Sequence, residues 1–458
     1  MKRNFNLFKQ EIAGKRVAVV GIGVSNIPLI RFLVKLGAKV TAFDRRDFEE
    51  LDSAIEEYRT TIEFSLGEKY LYNLEGFDVI FRTPGMRPDQ PELLKAKAAG
   101  AVITSEMREF MRHCPATTIG ITGSDGKSTT TTMTHGLLKA QGLKSRIGGN
   151  IGFPLFDQIE EITPDEFIVL ELSSFQLMDM DLSPDIAVVT NLSPNHLDVH
   201  RSLAEYQEAK QNIYKFQDET GVLILNQDNE ITRSFKADAK GQVKTFSSKG
   251  QADARYEDDV IYLGTLPVVN LSQMQIKGTH NAENFCAALL ATQGLVDTAT
   301  AREFALTFTG VKHRAQFVAE KRAVRYYNDS IASSPTRALA TVKSFSDDKG
   351  RINIILGGKD KNLDFTELAQ EGGPYFRNVI LLGAARQKIY KAFVQTGGEI
   401  SESLYEAASF DEAVQIAAKV ARPGDVVLLS PACTSFDMFK NFEERGDHFK
   451  ELVEAMEE

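Results

Sequence analysis

Apolar runs of strand length recur along this chain, and three of them are followed at once by glycine. The run at 16–20 leads to Gly21, the run at 117–122 leads to Gly123, and the run at 351–356 leads to Gly357. These runs are rich in β-branched residues without regular polar alternation, which is typical of strands buried on both faces of a parallel sheet. Further runs of this kind predict strands at 40–44, 78–82, 167–171, 186–190, 324–328, 378–382 and 425–429.

Segments with helical periodicity separate these runs, for example at 27–36 and 411–420. Strand alternating with helix indicates βαβ units and parallel sheets. The runs form three clusters, so we predict an α/β protein of three domains, at residues 1–107, 108–310 and 311–458. The length of 458 residues agrees with this number, since a domain takes about 150 residues.

Composition and charge are those of a globular protein and argue against several other classes of protein. The chain is 43% hydrophobic and 25% charged, and its apolar runs fall short of the roughly 18 residues that span a bilayer. The N-terminal segment is basic but lacks the apolar stretch of a signal peptide. A formal net charge of -10 argues against general nucleic-acid binding, and three widely spaced cysteines argue against disulfides or a zinc site. We therefore expect a cytoplasmic enzyme that engages neither nucleic acid nor membrane.

The segment from Gly123 to Thr129, GSDGKST, lies between a predicted strand and a helical segment. Glycines permit a tight turn whose N–H groups point at an anion, and the helix adds the positive end of its dipole. In such a turn Lys127 reaches the outer phosphates of a nucleotide, and the Ser128 hydroxyl is placed to bind Mg²⁺. Ile121 stands where the strict GxxxxGK[ST] pattern has its first glycine, so this is a shorter relative of that phosphate loop.

Two residues that follow predicted strands are candidate metal ligands. Glu171 ends the run at 167–171, where adjacent parallel strands would bring it close to the phosphates. His196 follows the run at 186–190 and falls at the same edge of the sheet. A solvated strand end and a structural turn histidine are the alternatives for these two residues. Lys210 lies in a helical segment farther along, and its spacing alone predicts a surface lysine.

The first glycine pair begins a dinucleotide-binding pattern that it does not complete. Gly21 and Gly23 match GxGxxG, but Asn26 replaces the third glycine, while Asp44 supplies the acidic residue after the next strand. An NAD-dependent oxidoreductase is therefore one alternative, although it leaves the phosphate loop unexplained. We predict instead a nucleotide-like ligand without hydride chemistry, with the backbone at 82–85 on the same rim.

Together with several other segments, these motifs resemble the Mur ligase family. ELSSFQL at 171–177 and SPACTSFDMFKNFEERG at 430–446 are similar to segments of the members that add D-glutamate to UDP-N-acetylmuramoyl-L-alanine. GGNIG at 148–152, GTHNAEN at 278–284, KHR at 312–314 and NDS at 328–330 occur in family order, so the resemblance runs from about residue 15 to 449. It implies an N-terminal Rossmann-like parallel sheet, a central P-loop ATPase-like sheet and a C-terminal Rossmann-like sheet.

The resemblance implies an ATP-dependent ligase that joins two small-molecule substrates, D-glutamate and UDP-N-acetylmuramoyl-L-alanine, through an acyl phosphate. By that resemblance, ATP is held by Ser124, Asp125, Gly126, Lys127, Ser128, Thr129, Thr130, Asn284, Arg314 and Asp329. Two magnesium ions are held through Ser128, Glu171, His196 and a carbamylated Lys210, and the catalytic residues are Lys127, Glu171, His196 and Lys210. Substrate contacts fall on Ser25, Asp44, Arg45, Thr83 and Gly85 for the UDP part, on Asn150, Ser173 and Gln176 for the muramoyl end, and on Lys361, Ser435 and Phe442 for D-glutamate. His313 is a further substrate contact.

The chain departs from the family pattern at three places. Ile331 stands where the family has a lysine, Asn195 stands where many relatives have aspartate, and 315–317 lacks the usual acidic residue. The alternatives are another amino-acid ligase of this superfamily, such as a folylpolyglutamate synthase or an L-alanine-adding relative, the oxidoreductase, and a non-catalytic nucleotide-gated binding module. The segments at 171–177 and 430–446 favour D-glutamate addition.

Overall fold

The computed structural model describes residues 5–23, 26–51, 53–152, 154–193, 199–359, 363–396, 400 and 403–457. The chain divides into two compact units, Met1–Leu306 and Thr307–Glu458. Two sheets belong to the first unit and one to the second, which confirms the α/β fold with N-terminal, central and C-terminal sheets. The domain limits at 107/108 and 310/311 stay a prediction. Among the helices of the described ranges, none is both long and apolar enough to cross a membrane.

The first part of the chain alternates strands and helices, namely α1 (Phe5–Ile12), β1 (Arg16–Val20), α2 (Asn26–Lys35), β2 (Lys39–Asp44), β3 (Glu63–Leu66), β4 (Val79–Arg82), α3 (Pro91–Ala98), β5 (Val102–Thr104) and α4 (Glu106–His113). The strands form a parallel sheet in the order β3-β2-β1-β4-β5. Because the strands are parallel, their carboxyl ends meet at one edge, which carries Gly21, Asp44 and Arg82.

The central part builds a nine-stranded sheet in the order β14-β13-β12-β11-β10-β9-β6-β8-β7. Its elements are β6 (Thr117–Thr122), α5 (Lys127–Ala140), β7 (Ser145–Gly149), β8 (Phe167–Glu171), α6 (Ser174–Leu177), β9 (Ile186–Val189), α7 (Leu203–Lys215), β10 (Val222–Asn226), α8 (Glu230–Ser234), β11 (Gln242–Ser247), β12 (Ala254–Glu257), β13 (Val260–Leu263), β14 (Leu266–Asn270), α9 (Thr279–Ala291) and α10 (Thr298–Thr307). The strands from β7 to β12 pair in parallel, and β12, β13 and β14 pair antiparallel. The buried strand β6 lies between β8 and β9, so the turn after it is flanked by the ends of both neighbours.

The second unit contains one six-stranded sheet in the order β15-β16-β20-β17-β18-β19. Its elements are β15 (Gln316–Lys321), β16 (Val324–Asn328), α11 (Pro335–Ser344), β17 (Ile352–Gly357), α12 (Thr366–Gly372), β18 (Phe376–Leu382), α13 (Arg386–Thr396), β19 (Leu404–Glu406), α14 (Phe410–Val420), β20 (Val426–Leu429) and α15 (Phe442–Glu454). Only the β15–β16 pair is antiparallel among these described strands. The segments after β16 and β20 therefore lie at one edge of this sheet.

The first and central sheets share a hydrophobic core. Phe8 of α1 and Phe32 of α2 pack edge-on against Phe156, which lies in a short 3-10 helix after β7, with ring centroids 5.5 Å apart in each pair. All three rings are buried, and the cluster continues through apolar residues of both sheets. Burial of aromatic surface stabilises this contact by about 25 cal/mol per Å².

Candidate active site

The GSDGKST segment forms the predicted turn between β6 and α5. Gly126 takes a left-handed conformation with a φ of 77° and immediately precedes α5. Glycine is needed there, since a Cβ atom would also collide with the side chain of Asn284. Because α5 begins at Lys127, its first N–H groups have no acceptor within the helix and lie at the turn. The backbone thus has the form of an anion-binding site.

The end of β9 holds this turn in place. Thr190 Oγ1 donates to the Asp125 carbonyl at 2.6 Å, and Asp125 N donates to the Asn191 side chain at 2.9 Å. Ser124 N donates to the Asn191 carbonyl at 2.8 Å, and Ser124 Oγ lies 3.0 Å from the hydroxyl of Tyr206. These contacts make Ser124 and Asp125 anchors of the turn.

Lys127 folds back over the turn from the first position of α5. Its Nζ donates to the Gly123 carbonyl at 3.0 Å and to the Ser124 carbonyl at 2.8 Å. The ammonium group therefore lies beside the N-terminus of α5, and two sources of positive potential coincide. An anion of high charge density is the ligand that this arrangement favours.

The other predicted residues of the loop lie in the first turn of α5. Ser128 and Thr130 are buried, and Thr129 is half-buried. Thr130 Oγ1 donates to Asn284 Oδ1 at 3.2 Å, which brings the α9 residue predicted from the resemblance next to the phosphate loop. Two segments far apart in sequence thus meet at one end of α5.

Lys210 lies inside the central domain and not at the surface. It is 1% exposed, and its Nζ donates to Thr122 Oγ1 at 3.0 Å and to the Gly123 carbonyl at 2.9 Å. The same carbonyl also accepts from Lys127, so the Nζ atoms of two lysines converge on one oxygen. Burial lowers the pKa of Lys210 well below its ordinary value, the charge of Lys127 lowers it further, and Glu171 opposes the shift.

The surface position that spacing alone predicts for Lys210 is therefore wrong, and the reason lies in α7. Residues Tyr206, Ala209, Lys210 and Ile213 share the face of this helix that packs inward. Their spacing is that of a core-facing stripe in which one member is charged. Lys210 Nζ lies 4.9 Å from the centre of the Tyr206 ring, so the aromatic face covers this nitrogen inside the core.

Glu171 ends β8 opposite Ile121 of β6, as the parallel pairing predicts. It is 1% exposed, and its Oε1 accepts from Asn150 Nδ2 at 2.7 Å. Its Oε2 is buried and has no hydrogen-bond partner among the described residues. A buried carboxylate oxygen without a partner is costly unless a cation or a donor joins it. The local donor chemistry therefore fits a hard divalent cation.

The metal centre cannot be completed from described residues alone. His196, the second predicted ligand, lies outside them. Within the described ranges, no group of three or more His, Cys, Asp and Glu residues is placed to hold a metal ion. Glu171 and the Ser128 hydroxyl are the described members of the predicted set, and Lys210 contributes an oxygen ligand only after modification.

The predicted muramoyl-end residues Ser173 and Gln176 form a capping box at the start of α6. Ser173 Oγ accepts from Gln176 N at 3.2 Å, and Ser173 N donates to Gln176 Oε1 at 2.9 Å. Ser174 Oγ lies 2.9 Å from Nε2 of the buried His200, whose ring stacks on Phe175. These contacts rigidify the segment directly after Glu171.

At the first sheet, Asp44 closes the glycine turn after β1. Asp44 Oδ2 accepts from Ile22 N at 2.7 Å, and Asp44 is paired with Arg46. Burial raises the pKa of Asp44, but the hydrogen bonds from Arg46 and from Ile22 outweigh burial and lower it. Asn26 explains the missing third glycine, because its side chain donates to the Gly21 carbonyl at 2.7 Å. Arg45 is exposed beside this turn.

Among the other residues predicted for the UDP part, Thr83 and Gly85 follow β4, and Ser25 lies outside the described residues. Thr83 N donates to the Val20 carbonyl at 2.9 Å. Gly21 has a φ of 90°, and a Cβ atom on it would press on the Thr83 side chain. The two turns at this edge are therefore in close contact.

The residues predicted for D-glutamate and for part of the nucleotide lie in the second unit. Asp329 follows β16, is buried, and accepts from Ser430 Oγ at 2.7 Å. Burial raises the pKa of Asp329 to about 6, against the hydrogen bonds that it accepts. Phe442, at the start of α15, contacts the buried ring of His313 edge-on. Ser435 is buried, Arg314 is exposed, and Lys361 lies outside the described residues.

Three residues that sequence reasoning did not single out take part in these sites. Tyr206 contacts both Ser124 and Lys210. The sequence feature that indicates it is its position four residues before Lys210, on the same helix face. Arg445 is buried and donates to the Ser330 hydroxyl at 2.9 Å and to the Ser330 carbonyl at 2.8 Å, next to Ile331. Burial lowers the pKa of Arg445 to about 10. Arg82 is the third, and it is buried. The sequence feature that indicates it is a charged residue at the end of an apolar strand.

Comparison with family models covers each of the three sheets. Residues 15–105 match the Mur ligase MurD-like N-terminal domain, residues 121–292 the Mur ligase middle domain, and residues 313–433 the Mur ligase glutamate ligase domain. Among curated proteins, the UDP-N-acetylmuramoylalanine--D-glutamate ligase of Clostridium kluyveri is 51% identical over 461 residues and covers 100% of both chains. The protein of the same name from Clostridium perfringens is 50% identical and covers 99% of both.

Among solved structures, the UDP-N-acetylmuramate-alanine ligase MurC of Thermotoga maritima aligns with a TM-score of 0.56 at 20% identity, over 96% of this chain and 99% of that one. MurF ligase of Thermotoga maritima, in complex with ADP, aligns with a TM-score of 0.53 at 17% identity, over 97% and 96%. These structural matches show the fold. Taken with the full-length identity to the curated relatives, they establish that the chain belongs to the Mur ligase family.

Proposed function

We propose that this protein is an ATP-dependent ligase that joins D-glutamate to UDP-N-acetylmuramoyl-L-alanine, a cytoplasmic step in the synthesis of peptidoglycan precursors. The observation that carries the proposal is the convergence of Lys127 and Lys210 on the Gly123 carbonyl, close to the buried carboxylate of Glu171. The Lys127 ammonium, a buried lysine amine open to modification and a candidate metal ligand at one phosphate loop suit a reaction between anions. The 51% identity to a ligase of this name selects the substrates.

The chemistry requires activation of a carboxylate, because its oxygen is a poor leaving group. The L-alanyl carboxylate attacks the γ-phosphorus of ATP, which forms an acyl phosphate and releases ADP. The amine of D-glutamate then attacks the acyl carbon, which forms the amide bond and releases inorganic phosphate and a proton. Phosphoryl transfer of this kind depends mainly on positioning and on cations that stabilise the transferred group.

Lys127 and the turn around it would bind the phosphates of ATP. The helix N-terminus and the ammonium group are placed to stabilise charge on the β- and γ-phosphates. Ser124, Asp125, Gly126, Ser128, Thr129 and Thr130 belong to the same binding loop, and Asn284 contacts it. Arg314 and Asp329 are assigned to the nucleotide by the family resemblance.

Mg²⁺ would be held by Ser128, Glu171, His196 and modified Lys210, and it would neutralise phosphate charge and draw the reacting oxygens together. The residues that are described fit this role, because Glu171 presents a buried oxygen without a partner. Lys210 would acquire its oxygen ligands when its neutral amine adds to CO₂, which gives a carbamate and releases a proton. Its burial keeps that amine away from competing water.

The remaining assignments follow the resemblance. The UDP part would lie along the edge of the first sheet at Ser25, Asp44, Arg45, Thr83 and Gly85. The muramoyl end would contact Asn150, Ser173 and Gln176. D-glutamate would bind at Lys361, Ser435 and Phe442, with His313 as a further substrate contact. Of these, Asn150 is already bonded to Glu171, which links the substrate end to the metal ligand.

The test is phosphate release from ATP with UDP-N-acetylmuramoyl-L-alanine and one amino acid at a time. We expect release with D-glutamate together with a stoichiometric UDP-linked product, and background release with L-alanine, L-glutamate or no amino acid. Release driven by L-alanine with UDP-N-acetylmuramate, or by glutamate with a folate, would assign the protein to a related ligase instead. Hydride transfer to NAD would contradict the proposal.

A further inference from the structure

Arg82, at the end of β4, is a buried cation at the boundary between the first and central sheets. It is 1% exposed and, like Arg445, belongs to the largest fully buried side chains of the described residues. Burying a guanidinium group is costly unless its donors are all satisfied by well-placed acceptors. Its five donors lie in a rigid planar fork, so the acceptors around it must be fixed as well.

One side of this fork holds the loop that follows β4. Nη1 donates to the carbonyls of Thr83 at 3.2 Å, Pro84 at 3.3 Å and Met86 at 2.7 Å. These carbonyls belong to the loop at 83–86, which contacts the glycine turn after β1. A single side chain therefore fixes the backbone of this loop from within the protein.

The other side of the fork reaches the central sheet. Nε donates to Asp179 Oδ2 at 2.9 Å, Nη2 pairs with the other oxygen of Asp179, and Nη2 also lies 3.4 Å from the Phe175 carbonyl. Phe175 is in α6, the helix that the Ser173 and Gln176 capping box begins. The ion pair thus joins the loop at 83–86 to the segment directly after Glu171.

The same loop is held again at its far end. Arg87 Nη2 donates to Glu205 Oε1 at 2.7 Å, and Arg87 Nη1 donates to the Val199 carbonyl at 2.8 Å. Glu205 belongs to α7, the helix that carries Lys210. The residues on either side of the loop at 83–86 therefore anchor it. Arg82 connects it to α6, and Arg87 connects it to α7.

We propose that Arg82 is a positioning residue that holds the loop at 83–86 in its substrate-binding form and couples it, through Asp179, to the segment after Glu171. The inference rests on the proposed function in one respect, since that function assigns the UDP part of the substrate to this loop. Arg82 acts by fixing the backbone of this loop, and its ion pair with Asp179 connects that backbone to the central domain.

The test separates positioning from stability by two variants. Arg82→Met removes the donors but leaves the Asp179 carboxylate unpaired, which destabilises the fold. Arg82→Met/Asp179→Leu removes both charges, so the melting temperature is expected to recover toward that of the wild type. In both variants we expect the KM for UDP-N-acetylmuramoyl-L-alanine to rise about tenfold or more, with the KM for ATP changed less than twofold. Arg82→Lys is expected to restore part of the substrate affinity.

Arg108 provides the matched control. It pairs with Asp181 at the same boundary, two residues past Asp179, and its hydrogen bonds do not involve the carbonyls of the loop at 83–86. Arg108→Met is therefore expected to leave the KM for the UDP-substrate within twofold of the wild type. An equal rise in KM for Arg108→Met, or a double variant whose KM returns to the wild-type value along with its melting temperature, would overturn the positioning role. A wild-type protein that makes no UDP-linked product would refute the proposed function and leave the Arg82 contacts to be tested by UDP binding, where Arg82→Met should weaken affinity.

Discussion

At the scale of single residues, the site depends on ionisable side chains that the fold buries away from water. Lys210 and Glu171 are each 1% exposed, and each is tolerated because of a neighbour: Thr122 and the Gly123 carbonyl for the amine, and Asn150 for the carboxylate. Glu171 Oε2 has no hydrogen-bond partner among the described residues, and this carboxylate oxygen is the one we propose as a cation ligand. Substitution of these residues should therefore lower catalytic activity more than it lowers the stability of the fold.

Lys210→Ala tests the carbamate. Because the proposed carboxylate is lost, we expect activity to fall by about 10²-fold or more, and to be partly restored by added formate or acetate in steady-state assays of phosphate release. Lys215→Ala is the control, since Lys215 lies on the same helix and is exposed. Wild-type rates in Lys210→Ala would show that Lys210 has a purely structural role. The same conclusion would follow if added formate or acetate raised the rate of Lys215→Ala as much as that of Lys210→Ala.

At the scale of secondary-structure elements, α5 is flanked by two glycines, and comparing them isolates the contribution of the phosphate loop. Gly126 before the helix and Gly142 after it have φ values of 77° and 80°, but a Cβ atom would meet Asn284 at the first position and nothing within 4 Å at the second. Gly142→Ala should cost only the left-handed strain, about 1 kcal/mol. Gly126→Ala should cost more and should raise the KM for ATP at least tenfold. Equal losses of stability with unchanged KM values would contradict this role for the turn.

The start of α4 gives a prediction about pH. Glu106 accepts from Phe156 N at 3.2 Å, and burial raises its pKa from 4.5 to about 7. Between these values the folded protein binds a proton that the unfolded chain releases, so stability falls as the pH rises toward and through about 7. Glu106→Gln keeps the acceptor without the charge, and we expect it to stabilise the protein at pH 8 by on the order of 3 kcal/mol, less at pH 5.5.

Chemical denaturation at several pH values measures this effect. Glu230→Gln is the control, because Glu230 is likewise the first residue of a helix, α8, and is exposed. Its free energy of unfolding should differ from that of the wild type by less than about 0.5 kcal/mol at every pH. A Glu106→Gln variant whose effect does not change between pH 5.5 and pH 8 would show that Glu106 is not the group that titrates.

At the scale of the whole molecule, the first two sheets depend on one another. The cluster of Phe8, Phe32 and Phe156 crosses the predicted limit at 107/108, whereas the core clusters of the second unit lie wholly within residues 307–458. We expect fragments 1–306 and 307–458 to unfold cooperatively on heating, as followed by circular dichroism. Fragment 1–107 should expose its apolar face, bind a hydrophobic dye and show no cooperative transition. A cooperative, monomeric fragment 1–107 would contradict this dependence.

Much of the architecture is legible from the sequence because buried parallel strands leave a distinct pattern. The runs at 16–20, 117–122 and 167–171 form β1, β6 and β8, and the helical segment at 27–36 corresponds to α2 within one residue at each end. The strands β12, β13 and β14 were not predicted. They have only four or five residues each and are partly exposed, so their conformation depends on pairing with β11 and with one another.

The sequence by itself determined the order of the elements, the phosphate loop and the family, because glycine turns and unbroken apolar runs are local signals. Tertiary structure decided which charges are buried. Lys210 and Arg82 look like surface residues in any short window, and only the packing of α7 on β6 and of β4 beside α6 takes them out of water. Burial is a property of distant segments that meet, and local spacing does not encode it.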